Sequence, residues 1–501
     1  MTTSILNPEN SALVSQTTEV QLAEAKGYVS YRIRHTLASR FSFLIICLAI
    51  ILSALAYGTV HAWSLAFFFM GAVVLLVLWT VDCWGLGAVR ISRNILQLPL
   101  LGLLALGMVQ LLPLRNPETV GTPALPLARA LSFNPYATRF IVIEVIALLI
   151  YFAATLVFVD TPKRLRLLVR TVTIFGFFLA IFGLTQSFTS PMRVYWIRET
   201  PQSMAFGPFI NRHHFAGYME LTLALPLGLI FSGGVEREKK FIYMFAACLM
   251  AVALIMTNSR GGIVSLVVEV LFLTSLMGVR RRHKKKRTQR KPRIKSAAMK
   301  VGLALALVMV LFGGVVLLGG EEALSRIVGS VNTDDPSTGR THFWSVTSDI
   351  IKNHPVIGTG LGAFGVVYTG YDTRNGLYRL EQAHNDYLQV LSDGGIVGAA
   401  LGLMFLVALF RMGFARRESR DDFRRGVATG ALAGCFAVLV HSFFDFTLHT
   451  TSNALLFLML AALATMNGRV EDVHSRRKKK RPEASRIATE HSETAEVAAA
   501  T

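Results

Sequence analysis

The residues best suited to chemistry in this chain are histidines, arginines and carboxylates set at the ends of apolar runs. In "EQAHNDYLQVLSDGGIVG", residues 381–398, His384 leads a His-Asn-Asp cluster. An imidazole of ordinary pKa, about 6.5, can take up a proton at neutral pH, which lysine and arginine do not do readily. His384 is therefore a candidate general base. If a helix starts near it, His384, Tyr387, Leu388 and Leu391 share one face. Asn385 or Asp386 then suits the cap, and Gly394–Gly395 end or bend the helix.

Other polar groups have the same placement. "FINRHHFAGYME" puts Arg212, His213 and His214 at the mouth of an apolar run, with Glu220 about two turns deeper. "TNSRGG" puts Arg260 in a tight turn, and "HSFFDFTLH" spaces His441 and Asp445 to meet on one helical face, where they could pair with each other. Glu144 and Glu269 lie inside apolar runs, where pairing with arginines or a proton path would account for them. Charge inside or bordering a membrane span is expensive and marks a site or a paired network. The scattered histidines and carboxylates lack HExxH-type spacing, so no metal is expected.

Membrane helices must position these groups. Of 501 residues, 52% are hydrophobic and 16% charged, which excludes an ordinary soluble domain. Apolar runs of roughly 20 residues, enough to cross a bilayer at about 1.5 Å per residue, fall near 41–60, 63–81, 95–113, 139–159, 166–188, 214–233, 241–257, 261–279, 298–318, 394–411, 426–446 and 453–467. The expected fold is all-α and polytopic, with about 12 transmembrane helices and a large external loop, about 319–393, between helices 9 and 10. The first run exceeds a signal peptide's apolar stretch of roughly 7–15 residues and reads as an uncleaved span. Residues 1–35 and 469–501 read as disordered tails flanking a membrane domain over 36–468. Inside the long loop "HFWSVTSDIIKN" reads as helix, and "GTGLGAF" lacks the βαβ context of a phosphate cradle, so its glycines are assigned to close packing. Cys47, Cys83, Cys248 and Cys435 fall in or beside spans and suggest no disulfide framework.

The net charge of +20 could suggest nucleic acid, but seventeen positive charges lie in two runs, 280–295 and 476–481. Together with Arg90, Arg93, Lys163, Lys239 and Arg416, these fall on one side of the alternating topology, as the positive-inside rule requires. Both termini are then cytoplasmic, nucleic acid is not an expected partner, and the basic segments face anionic lipid. The opposite side carries eleven arginines, including Arg115, Arg212, Arg260 and Arg340, against one lysine, Lys352. That bias suits phosphate, because a planar guanidinium forks onto two oxygens.

"NRHHFAGY", "TNSRGG", "STGRTHFW", "HPVIGTGLGAF" and "HNDYLQVLSDGGIVG" occur in that order over about 205–450, and this region resembles the O-antigen ligase and Wzy polymerase superfamily. The resemblance implies an inner-membrane glycosyltransferase that acts on the periplasmic side. It would move a glycan from undecaprenyl diphosphate to an acceptor hydroxyl on a glycan, lipid A-core or another molecule, without metal, nucleotide or other cofactor. It further implies His384 as the base and Arg260, with Arg212 and Arg340, as diphosphate ligands. Beside these, the residues themselves offer His214 as a substrate-binding candidate and His213, Asp386, His441 and Asp445 as supporting candidates. The basic 280–296 loop and "HSFFDFTLHTTSNA" are similar to relatives of exopolysaccharide production. The alternative expectation is a transporter or flippase for lipid-linked glycan, with Glu144, Glu269 and Asp445 as its polar path.

Overall fold

The computed structural model describes residues 35–115, 129–201, 203–285, 339–374 and 380–466. Apart from a two-stranded hairpin, β1 (Arg193–Val194) with β2 (Arg198–Glu199), the described elements are helical. In chain order they are α1 (Leu37–Leu55), α2 (Ala62–Leu86), α3 (Gln97–Gln110), α4 (Pro135–Phe158), α5 (Pro162–Thr189), α6 (Arg212–Ser232), α7 (Lys240–Met256), α8 (Arg260–Lys285), α9 (Arg340–Asn353), α10 (Phe364–Tyr371), α11 (Asp386–Arg416), α12 (Asp422–His441) and α13 (Thr451–Thr465). Eight described helices are long and apolar enough to cross a membrane, and α3 and α13 are shorter apolar helices. The expected span at 298–318, the loop segment 319–338, most of the basic 280–296 segment and the two tails lie outside the described residues.

Helix starts follow from short polar side chains placed before apolar runs. Thr36, Asn134, Thr161, Asn211, Asn385 and Asp421 each accept a hydrogen bond from a backbone N–H in the first turn, and Pro135 and Pro162 occupy N-terminal positions where no N–H is needed. Gly87 and Gly233 close α2 and α6 in the left-handed conformation.

The inner wall is α6, α12 and α13. Within their most apolar stretches α6 is 83% and α12 78% buried, against 22% for α2 and α11, so the former are core and the latter shell. A methyl on Gly228 would sit 2.4 Å from the Gly430 backbone, and one on Gly430 2.4 Å from the Ala224 carbonyl. Small residues thus let the two backbones touch, which is how helices associate where lipid removes the hydrophobic drive.

One shell helix is broken. Gly395 (φ 60°, ψ −160°) interrupts α11, and the backbone groups released there must find partners away from water. The "HPVIGTGLGAF" segment supplies them. Ile396 N–H donates to the Pro355 carbonyl (2.8 Å), Val397 N–H to Val356 (3.2 Å), Thr359 N–H to the Ser392 carbonyl (2.9 Å) and Gly360 N–H to that of Asp393 (3.1 Å). Gln110, at the end of α3, donates to the Ile357 carbonyl (2.7 Å) and the Asp393 carbonyl (2.8 Å) and accepts from Leu361 N–H (2.9 Å). The glycine-rich stretch is a packing device against the helix break.

Gly395→Ala should strain the backbone by roughly 1–3 kcal/mol and drive the new methyl to 2.3 Å from the Val356 carbonyl oxygen. The expected result is a lower yield of folded protein and a lower unfolding temperature in detergent, measured beside Gly402→Ala, where a methyl meets nothing within 4 Å.

Candidate active site

Four helix N-termini gather at one end of the bundle: α6 at Arg212, α8 at Arg260, α9 at Arg340 and α11 at Asp386. What joins them is Asp445, in the turn after α12. Its Oδ1 lies 3.3 Å from His384 Nδ1, and its Oδ2 is 3.7 Å from Arg340 Nη2 and 3.7 Å from His213 Nδ1. His213 Nδ1 is also 2.8 Å from Ser259 Oγ, which heads α8 by accepting from Gly262 N–H (3.2 Å). Helix N-termini carry partial positive charge and unpaired N–H groups, so with the arginines this end is electrostatically suited to an anion.

His384 precedes the helix and does not share its face. Asn385 is the cap, its side-chain oxygen accepting from Tyr387 N–H (3.0 Å) and Leu388 N–H (3.1 Å), and α11 begins at Asp386. His384 itself is left-handed, with φ 50°, a strained conformation that persists only where surroundings enforce it. Asp386 N–H donates to the Ser442 carbonyl (2.9 Å), Asn385 Nδ2 to the Phe443 carbonyl (3.2 Å) and Trp344 Nε1 to the Ala383 carbonyl (3.1 Å). The imidazole keeps 29% of its side-chain surface exposed, between the rings of Phe446 (centroids 4.9 Å) and Phe343 (6.3 Å). Its Nδ1 is turned to Asp445.

His441 and Asp445 do not pair on one helical face. Helix α12 ends at His441, and the turn beyond it sends Asp445 to His384. His441 turns inward, with Nδ1 2.8 Å from Glu220 Oε1, both side chains fully buried, and Nε2 3.3 Å from Ser259 Oγ. His214 packs edge-on against Phe446 at 4.9 Å, while Asn453 Nδ2 donates to its carbonyl (3.0 Å). Arg212 donates to Met204 Sδ (3.0 Å), and Arg260 is exposed. Among the described residues no arginine pairs with Glu144, and Thr451 Oγ1 donates to it (2.7 Å). Neither carboxylate oxygen of buried Glu269 has a hydrogen-bond partner among the described residues.

A further imidazole–carboxylate pair includes a residue outside the sequence candidates, His449. His449 Nδ1 lies 2.7 Å from Asp386 Oδ1, and Ser442 Oγ donates to Asp386 Oδ2 (2.6 Å). Residues 384 and 386 thus pair with 445 and 449, so two short segments lock each other. Ser259 and Phe446 also escaped sequence reasoning. Ser259 stands directly before Arg260, where a capping residue belongs, but its histidine partners are remote in sequence.

Burial alone would raise the Asp445 carboxyl. The hydrogen bond to His384 and the neighbouring His213, His384 and His214 outweigh that and hold it well below the usual carboxylate range. For His449, burial disfavours the imidazolium, but the bond to Asp386 and the charges of Asp386, Asp393 and Glu144 prevail and raise its pKa. No three or more His, Cys, Asp or Glu side chains are grouped to hold a metal among the described residues.

The architecture and this site define a polytopic helical membrane protein with an anion-suited end. Residues 245–403 match the O-antigen ligase family, a segment that runs from α7 into α11 and includes Arg260, Arg340 and His384, while His213, Glu220, His441 and Asp445 fall outside it. The match bears out the resemblance to the O-antigen ligase and Wzy polymerase superfamily, a family of glycosyl-transferring enzymes. No curated protein matches the chain.

The raised His449 pKa sets a pH dependence. The charged pair with Asp386 contributes stability fully below about pH 6.5, and this is lost as pH rises through the raised value. The gap in unfolding temperature between wild type and His449→Gln should therefore narrow from about pH 6 to about pH 9; a gap constant over that range would count against the ion pair.

Proposed function

We propose that the protein transfers a glycan from undecaprenyl diphosphate to an acceptor hydroxyl at the periplasmic face of the inner membrane, as a ligase or polymerase of exported polysaccharide. The reading includes about twelve spans with both termini cytoplasmic. The observation that carries it is the His384–Asp445 contact of 3.3 Å at an end that also bears Arg340 and His213. Fixing Nδ1–H on Asp445 would leave an Nε2 lone pair to take the proton of an acceptor hydroxyl as its oxygen attacks the anomeric carbon. The carbon–oxygen bond to the diphosphate breaks on the opposite side, its electron pair leaves with the diphosphate, and the configuration inverts. Diphosphate is a good leaving group, so stabilising its growing charge matters more than protonating it. Arg260, Arg212 and Arg340, set at three helix N-termini, would supply that stabilisation. The exposed apolar flanks of α2 and α11 would lie against lipid and the polyprenyl chain.

His384→Ala should lower turnover at least about 100-fold, the lower end of what a positioned base contributes, with normal protein level and insertion. Asp445→Asn should approach the same loss, because an amide would not fix the required tautomer. Wild-type product from His384→Ala would remove the base. Arg260→Lys should also impair transfer, since an ammonium does not fork onto two oxygens. Purified protein that joins lipid-linked glycan to an acceptor in detergent, where there is no second compartment, would exclude a purely transporting protein.

A further inference from the structure

The strained turn at His384 needs a support that the base–carboxylate contact does not provide. Asp445 holds the imidazole, and the bonds at Asn385 and Asp386 hold the chain after it. On the other side of His384, Ala383 N–H donates to Gln389 Oε1 at 2.7 Å. Gln389 is on the first turns of α11, is 1% exposed, and donates from Nε2 to Asp393 Oδ2 (3.1 Å). The same Asp393 oxygen accepts from Gly362 N–H (3.0 Å), and the Asp393 carbonyl is held by Gln110 and Gly360. An unbroken line of bonds therefore runs from the break in α11 to the residue before the histidine.

We infer that Gln389 is a positioning residue for the transfer reaction: its amide ties the backbone before His384 to the Asp393 carboxylate at the break of α11, and so sets where the imidazole stands. The inference rests on His384 acting as the base. Each end of the amide has one fixed task, since its oxygen must face an N–H and its nitrogen a carboxylate. Glutamate at 389 alone would bring two carboxylates together and lose the donor. Asparagine at 393 beside glutamate at 389 restores a donor between the two residues with the order reversed and keeps an oxygen for Ala383 N–H, while Gly362 N–H, which shares the Asp393 oxygen with Gln389, must turn to the other side-chain atom. Glutamine is the residue that satisfies both neighbours in the native order. A misplacement of about 1 Å at a reacting group can cost roughly 100-fold in rate, so a defect here should fall on turnover and not on donor binding, which belongs to the arginines.

The test uses full-length purified protein and, as donor, the lipid-linked glycan extracted from a strain that lacks the protein. Turnover, donor KM and unfolding temperature are measured for wild type, Gln389→Ala, Gln389→Glu, the Gln389→Glu/Asp393→Asn pair and His384→Ala. The expected result is a roughly 100-fold fall in kcat for Gln389→Ala, with donor KM near wild type and the protein folded at a lowered unfolding temperature, because Ala383 N–H loses its acceptor. Gln389→Glu should fall similarly, and the double variant should recover part of the loss. Folded Gln389→Ala with wild-type kcat overturns the inference, as does a folded double variant no more active than Gln389→Glu. If Gln389→Ala does not fold, the double variant decides: folded and active supports positioning, and folded but inactive or unfolded overturns it. Wild-type turnover in His384→Ala would sink the base reading itself. Inactive His384→Ala beside fully active Gln389→Ala would sink this inference alone.

Discussion

The end of the bundle that carries the candidate site is organised by one carboxylate. Asp445 keeps 1% of its side-chain surface exposed, and an ionised carboxyl so placed is tolerated only when positive groups and hydrogen bonds surround it. The partners come from different parts of the chain: His213 from α6, Arg340 from α9 and His384 from the turn before α11. Because each must come close to one group, the termini of three helices are fixed relative to one another, and Ser259 adds a fourth through His213. A positively biased end of four helix N-termini and several arginines would repel itself, and the carboxylate offsets that repulsion.

The polar groups beneath it follow the same constraint at greater depth. Glu220 and His441 are fully buried and 2.8 Å apart, in the two helices that pack most tightly through glycine. Removing one member of such a pair leaves the other stranded, at a cost of several kcal/mol in soluble proteins. The pair therefore fixes the register of α6 against α12 more strictly than an apolar seam of glycine and alanine would, and register decides where His213 and Asp445 emerge at the end. Rigidity in the core is what makes the strained conformation of His384 sustainable. On the shell side the break at Gly395 would loosen α11, but the glycine-rich segment and Gln110 take up its freed backbone groups.

Positions of the membrane helices were legible because lipid demands long apolar runs, but most starts were not: helices begin at Leu37, Pro135, Pro162 and Asp422, about four residues before the runs at 41, 139, 166 and 426, because a polar cap and first turn precede the apolar stretch. The resemblance carried by "TNSRGG" and "HNDYLQVLSDGGIVG" likewise rests on contiguous residues. Pairing was less legible. Local periodicity sets His441 and Asp445 on one face, yet α12 stops at His441, and Asp445 meets a histidine 61 positions away. For Glu144 the sequence leaves pairing with arginine or a proton path open, and among the described residues a threonine 307 positions on donates to it. The two-residue difference at His384 has a sharper cause. Histidine and asparagine can both precede a helix, but only the asparagine side chain reaches two first-turn N–H groups, which pushes His384 out into the left-handed turn.

That displacement matters chemically. A histidine in the first turn of α11 would be carried by the helix, its direction set by the helix axis and shared with Tyr387 and Leu388. Standing before the cap, it is aimed by three separate attachments: the Asp445 carboxylate on its ring, the Asn385 and Asp386 bonds to the turn after α12, and the backbone bond at Ala383. Three attachments from two sides determine an orientation more narrowly than one helix does, and they leave the ring partly open between Phe343 and Phe446. The strain of the left-handed backbone is compatible with stability because none of these attachments can relax without stranding a buried polar group. Such a group is held in place before any substrate arrives, which is the condition that the proposed role of His384 requires.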